Sequence, residues 1–451
     1  MTQPFATSSS AAVLPTFHGP ATSSAGPVRP PDVDVAPGDI AVGVVIGRAS
    51  EYFDFFVYGI ASVLVFPSVF FPFASRLQGT LYAFALFAVA FVVRPVGTVV
   101  SMQIQRRFGR SAKLTVSLFL LGSSTVGMAL LPGYEQAGSA AIALLMLCRV
   151  GQGLALGGSW DGLPSLLALN APEHRRGWYA MLGQLGAPIG FFVACGVFAY
   201  LWANLSSPDF LTWGWRYPFF AAFAINVVAL FARLRLVVTH EYERQLERHE
   251  LDPCDVGELF AEQGHNVVIG AFAAMASYAL FHLVTVFPLS WIMLYSEQSV
   301  GQFMAVELVG ALLAGAAMPL SGWVADRIGR RRTLGGVAVL IAIFSLVTPA
   351  LLGGGIAGED TFILIGFVLL GLSYGQAAGA VTSNFLPQFR YTGAALSADL
   401  AWLVGAAFAP LVALGLGAKF GLIAVSLYLL SGAACTLLAL RANKALSAVR
   451  D

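Results

Sequence analysis

The stretch GQFMAVELVGALLAGAAMPLSGWVADRIGRRR, residues 301–332, decides how the chain is read. Between 301 and 325 the only charged residue is Glu307, and the apolar run then ends abruptly in Asp326-Arg327-Ile328-Gly329-Arg330-Arg331-Arg332. About 20 apolar residues let an α-helix cross hydrocarbon. A cluster of arginines directly after them holds that end on the cytoplasmic side. The same sentence is written earlier in the chain: an apolar span over 77–104 is followed by Arg106-Arg107-Phe108-Gly109-Arg110. Two copies of one membrane-crossing element with its basic turn imply an internally repeated membrane protein.

Composition agrees. Of 451 residues, 57% are hydrophobic and 11% charged, against roughly 25% charged in soluble domains. So few charges could not cover a soluble fold of this size. Lys+Arg (25) nearly balances Asp+Glu (24), so no basic excess exists to neutralise phosphates and no nucleic-acid partner is expected. The four cysteines show no metal or redox spacing. No Walker motif is present, and no nucleophile, base and orienter recur together, so neither an enzyme nor a cofactor or metal is called for.

Apolar spans recur at 42–71, 77–104, 113–132, 138–169, 177–203, 215–238, 265–294, 301–325, 333–353, 361–387, 392–417 and 420–441. The longest polar break, 239–264, divides them six and six. The expected organisation is a disordered cytoplasmic tail (1–38), a six-helix bundle (39–238), a central cytoplasmic loop (239–264), a second six-helix bundle (265–442) and a short tail (443–451). The basic residues Arg106, Arg107, Arg110, Lys113, Arg175, Arg176, Arg327, Arg330–Arg332 and Arg390 fall on one side. That side faces the cytoplasm, with both termini, in a multi-pass inner-membrane protein. Paired six-span repeats suit a transporter that rocks about a central site.

Five motifs, in order and at the right spans, then resemble the major facilitator superfamily, and within it the metabolite:proton symporter branch. They are Glu51-Tyr52-Phe53-Asp54-Phe55-Phe56-Val57-Tyr58, Arg94-Pro95-Val96-Gly97, Arg149-Val150-Gly151-Gln152-Gly153-Leu154-Ala155-Leu156-Gly157-Gly158, Gln184-Leu185-Gly186-Ala187-Pro188 and Phe389-Arg390-Tyr391-Thr392-Gly393. The resemblance implies an all-α membrane fold of twelve helices in two bundles. It also implies alternating access and proton-driven import of a small polar metabolite, an organic acid or a zwitterion such as proline or betaine. A monomer in the bilayer is expected, with protons and the solute as its partners. Asp326, Arg327 and Arg330, with Arg107 and Arg110 in the first copy, resemble the superfamily's cytoplasmic latch, a resemblance that implies carboxylate–guanidinium pairing across the bundle interface in one state and its parting in the other.

The chain also departs from the branch. Where the branch reads Gly-Gly-Glu-Trp-Gly-Gly, this chain has Gly157-Gly158-Ser159-Trp160-Asp161-Gly162, which moves the acid about 200° around a helix. The first latch carries Arg106 in place of its Asp, Asn384 replaces a glutamate, and Glu307 and Asp399 stand where the branch is usually neutral.

Charges inside apolar spans are functional candidates because each costs about 2.5–3.5 kcal/mol to insert. Glu51 and Asp54 share a helix face, and either one pairing with Arg149 makes a proton switch. The substrate-contact candidates are Arg94, Gln152, Trp160, Asp161, Gln184, Tyr278, Glu307, Tyr374, Gln376 and Asp399. Arg94 is placed near the cytoplasmic end of its helix. The acids Glu51, Asp54, Asp161, Glu307 and Asp399 outnumber Arg94 and Arg149, so a net-negative cavity is expected. Trp160, Tyr278, Trp291, Tyr374 and Trp402 are candidate wall rings. His282 reads as a satisfied interior group or a proton relay. Two alternatives remain: a transport-inactive sensor that binds a small ligand, and an exporter of the same fold.

Overall fold

The computed structural model describes residues 37–159, 171–237, 252–382 and 385–443. Twelve long helices carry the described residues: α1 (Pro37–Leu64), α2 (Arg76–Phe108), α3 (Arg110–Ala129), α4 (Ser139–Gly158), α5 (Arg176–Asn204), α6 (Tyr217–Val237), α7 (Val256–Tyr295), α8 (Val300–Ile328), α9 (Arg330–Leu352), α10 (Gly355–Thr382), α11 (Pro387–Phe420) and α12 (Leu422–Ala442). No strand occurs among them. Eleven are long and apolar enough to cross a membrane. α1 is set apart by composition because Arg48, Glu51 and Asp54 fall in its middle.

The repeat expected from the two basic turns is present in the packing. α2 packs on α4 as α8 packs on α10, α3 on α6 as α9 on α12, and α1 on α5 as α7 on α11. The halves meet along two seams, α5 against α8 and α2 against α11. Gly109 and Gly329 have φ of 84° and 88°, and each ends one helix and starts the next in the two basic turns. A left-handed backbone there is cheap only for glycine.

The central break is shorter than its polarity suggests. α7 starts at Val256, inside the expected 239–264 loop, because the Asp255 carboxylate accepts from the N–H groups of Gly257 and Glu258 and caps the helix. Leu259 then buries its side chain in an apolar cluster with Phe389 and Tyr391 of α11.

Small residues set the tightest approach. A Cβ on Gly153 would lie 2.5 Å from the Ala90 carbonyl oxygen. One on Gly157 would collide with the Arg94 carbonyl oxygen and the Thr98 nitrogen. α4 therefore lies backbone to backbone on α2, which is how membrane helices associate without a hydrophobic driving force. This contact holds Arg94 in place. α11 contributes a second irregularity, a π-helical turn over Trp402–Ala407. Gly405 in that turn sits against Tyr278 and Met275, and its carbonyl accepts from Tyr428 Oη at 3.1 Å. π-turns are frequent at functional sites, and this one sets the position of Trp402.

Gly157→Leu is expected to destabilise the protein by about 1–3 kcal/mol or more through overpacking. Gly336→Ala, on α9 with nothing within 4 Å of the added methyl, should leave the thermal midpoint in detergent unchanged or raised. Equal midpoints for the two variants would refute the tight α2–α4 contact.

Candidate functional site

A central cavity, about 720 Å³ counting its open side, lies between the two halves. Its wall includes Arg48, Glu51, Tyr52 and Phe55 of α1, Arg94 of α2, Gln184 of α5, Tyr278 of α7, Tyr374 of α10 and Trp402 of α11. Leu156, Ser159, Ala378, Ala394 and Ala398 complete it towards the face that bears the basic turns, here called the basic face.

Arg94 lies mid-helix rather than at a helix end. Its Nε is 2.7 Å from Oδ1 of Asp399, and Thr98 Oγ1 donates to Oδ2 of the same carboxylate. Arg94 belongs to α2 and Asp399 to α11, so this ion pair crosses a seam between the halves. Beside it Arg48 NH1 pairs with Glu51 Oε2 at 2.8 Å. The Tyr52 and Tyr374 hydroxyls hydrogen-bond to each other across the halves. The Trp402 ring stacks on Phe91 at 5.6 Å, with the Arg94 guanidinium 6.0 Å from its centroid.

The expected net-negative cavity is not what the described residues build. Arg48 offsets Glu51 and Arg94 offsets Asp399. Arg48 lies three residues from Glu51 on the same helix face, and that spacing was the available signal. Trp160 and Asp161 lie outside the described residues, as does Asn384.

The expected pairing of Glu51 or Asp54 with Arg149 is not made. Asp54 accepts from Thr125 Oγ1 (2.8 Å to each oxygen), Gln152 Nε2 (3.3 Å) and Asn226 Nδ2 (3.2 Å). Arg149 donates to Gln152 Oε1 (2.6 Å) and to the Phe87 carbonyl (2.6 Å), and its guanidinium lies 3.8 Å from the Tyr58 ring centroid. Gln152 thus stands between the two charges. The cluster spans α1, α3, α4 and α6, all within the first half, and none of its side chains lines the cavity.

Three further substrate candidates lie elsewhere. Gln152 belongs to that cluster. Glu307 is fully buried, with Oε2 3.8 Å from the Cys195 thiol at the α5–α8 seam. Gln376 donates to the Gly177 carbonyl (3.1 Å) and to Ser321 Oγ (3.3 Å), which puts it at the basic face. Trp291 packs against Tyr295 in a tilted arrangement, centroids 4.5 Å apart, near the far end of α7.

The latch closes the basic face by chemistry other than that expected. Asp326 of α8 accepts from the backbone N–H groups of Gly177 (2.6 Å) and Trp178 (3.2 Å) in the first turn of α5. Unpaired N–H groups and the helix dipole favour an anion there. Arg330 reaches the Arg176 carbonyl at 3.4 Å. Arg327 instead lies over Trp323 of its own helix, 3.8 Å from the ring centroid, and Arg107 is exposed. In the first copy Lys113 is buried and donates to Tyr391 Oη (2.7 Å) and Gln105 Oε1 (3.3 Å), with Arg110 over the Tyr391 ring. Arg106, standing where the superfamily has Asp, caps the Pro253 carbonyl at 3.0 Å. Nothing in the local pattern around Lys113 marks it for burial.

The chain matches the family described as Sugar (and other) transporter over residues 40–251. It is 37% identical over 407 residues to the inner membrane metabolite transport protein YhjE of Escherichia coli, covering 89% of this chain and 92% of that one. It is 29% identical to the shikimate transporter of Escherichia coli (87% and 91% covered) and 27% identical to that organism's proline/betaine transporter (80% and 74%). A solved structure of the xylose transporter XylE from E. coli, described as partially occluded inward open, superposes with a TM-score of 0.67 at 16% identity, covering 90% and 96% of the two chains.

Removing one partner of a buried ion pair costs about 3–5 kcal/mol, whereas neutralising both costs far less. Asp399→Ala should therefore lower the thermal midpoint of purified protein more than Arg94→Ala/Asp399→Ala does. Additive losses in that cycle would show that the pair is not coupled.

Proposed function

This chain belongs to the major facilitator superfamily, and we propose that within it the protein imports a small polar metabolite bearing a carboxylate, an organic acid or a zwitterion, together with protons. The relatives named for shikimate and for proline and betaine support that solute class. The positive-inside pattern supports an inner-membrane placement with the basic face and both termini in the cytoplasm.

The observation that carries the proposal is the Arg94–Asp399 pair, whose arginine lines the cavity wall. A guanidinium taken out of water needs acceptors beside it, because an uncompensated buried charge costs several kcal/mol; carbonyl oxygens and a ring serve Arg149, whereas Arg94 is met by a carboxylate. Asp399 supplies that anion in this conformation. A solute carboxylate can supply it instead, provided Asp399 takes up a proton. The exchange couples one proton to one carboxylate and loosens a contact that ties α2 to α11. The rings of Tyr52, Tyr278, Tyr374 and Trp402 enclose the remainder of the solute, and Gln184 and the Arg48–Glu51 pair offer polar contacts. Motion of the halves about the α2–α11 and α5–α8 seams would then turn the cavity from one face to the other.

The same geometry reassigns the first-half acids. Asp54 and Arg149 share no direct hydrogen bond, are bridged by Gln152 inside one bundle, and serve to hold four of its helices together. Glu51, on the cavity wall, remains in the coupling machinery.

Asp399→Asn in proteoliposomes should keep solute exchange, while accumulation driven by an imposed proton gradient falls below about a tenth of wild type. Asp54→Asn should still accumulate solute. Candidate solutes come from a thermal-shift screen of organic acids and zwitterions beside their amides. Carboxylates are expected to stabilise the protein where the amides do not. Equal stabilisation by acid and amide, or full accumulation by Asp399→Asn, would overturn the proposal.

A further inference from the structure

His282 of α7 is fully buried, and neither Nδ1 nor Nε2 has a hydrogen-bond partner. Five aromatic rings surround it instead. Their centroids lie 5.2 Å (Phe55), 5.1 Å (Phe87), 5.1 Å (Phe281), 6.1 Å (Phe91) and 6.1 Å (Trp402) from the centre of the imidazole. A neutral imidazole has one N–H to give and one lone pair to fill. Leaving each unmet costs about 1–3 kcal/mol. The two nitrogens are therefore a debit in this conformation, at a position where a phenylalanine or leucine would pack without one.

The place of the ring in the fold suggests where that cost is recovered. Phe55 and Trp402 are cavity-wall residues, and they also cover His282. His282 lies one helical turn beyond the wall residue Tyr278, in the direction away from the basic face. Phe91 and Phe87 lie one and two turns beyond Arg94 in that same direction along α2. Together these rings form a plug between the cavity and the opposite face, contributed by α1, α2, α7 and α11, with an imidazole at its centre. A transporter that opens to that face must part α1 and α2 from α7 and α11 at this level. When the rings separate, the imidazole nitrogens meet water or whatever enters the cavity.

We propose that His282 is a substrate-contacting residue of the state open to the face opposite the basic one, where an imidazole nitrogen hydrogen-bonds a polar oxygen of the incoming solute. The inference rests on the transport function proposed above. The buried, unpartnered nitrogens are the closed-state cost of a contact made only when the plug is open. The same side chain, covered by Phe55 and Trp402, separates the two states of the cavity.

Two measurements test it. The first needs no solute: in a background with Cys148, Cys195, Cys254 and Cys435 replaced, His282→Cys is labelled with a membrane-impermeant maleimide from the face opposite the basic one. Labelling there should run at least tenfold faster than for Leu283→Cys, a fully buried neighbour on the same helix. Phe91→Cys reports the same opening should His282→Cys fold poorly. If both thiols stay unlabelled, or are labelled only from the basic face, no plug opens at His282 and the inference falls, whatever the solute. The second is counterflow of radiolabelled shikimate or proline, whichever the wild type exchanges. His282→Gln, which keeps a donor and an acceptor, should hold KM within threefold. His282→Phe should raise KM at least tenfold at equal membrane abundance. Equal KM values for Gln and Phe would refute the contact while leaving the transport function standing, and failure of the wild type to exchange either solute would overturn the solute assignment on which the contact rests.

Discussion

A guanidinium buried at a seam between two bundles must keep a compensating partner at every stage of a cycle, and an anion is the partner that offsets its charge outright. Arg94 meets that constraint in this conformation through Asp399, which comes from the other half of the molecule. Much of the architecture positions that one contact. The glycines of α4 let it lie directly on the backbone of α2 at Arg94 and Thr98. The π-turn of α11 follows Asp399 by three residues and swings Trp402 over the same guanidinium. Thr98, one turn beyond Arg94, holds the second carboxylate oxygen. A contact that is costly to break alone and cheap to exchange for another anion is suited to switching.

Two other layers lie along the axis of that switch. Towards the basic face, Asp326 on the first turn of α5 and Lys113 on Tyr391 tie the halves together with charge-assisted and cation–π contacts. Towards the other face, the rings around His282 close the cavity by packing, without any hydrogen bond to the imidazole. The two ends are thus sealed by different physics. The polar seal is strong at short range and forms or breaks in discrete steps. The aromatic seal is held by shape and dispersion, and it opens by separation of surfaces.

The fold was legible because its signals are local. Hydropathy located the spans, and the basic turns at Gly109 and Gly329 revealed the repeat. Boundaries slipped where one capping residue decided them, as Asp255 does for α7. The site was legible in part. Arg94, Gln184, Tyr278, Tyr374 and Trp402 stand out as polar or aromatic residues in apolar spans, and they do line the cavity. Which acid meets which base was not legible. Asp399 reaches Arg94 across most of the chain's length, while Asp54, closer in sequence to Arg149, is turned to Thr125, Gln152 and Asn226. Counting acids against bases therefore does not give the charge that the described residues place around the cavity, because membership in the cavity is a tertiary property. The latch showed the same limit: its motif letters implied arginine–carboxylate pairing, whereas the Asp326 carboxylate is met by helix N–H groups.

The central claim is that a solute carboxylate replaces Asp399 at Arg94 only when Asp399 has gained a proton. Proton uptake on binding tests it most directly, measured with an indicator dye in weakly buffered detergent solution as purified protein is titrated with a solute that stabilises it. The account predicts uptake of about one proton per solute bound, lost in Asp399→Asn. Binding with no proton uptake by the wild type, or with undiminished uptake by Asp399→Asn, would contradict it.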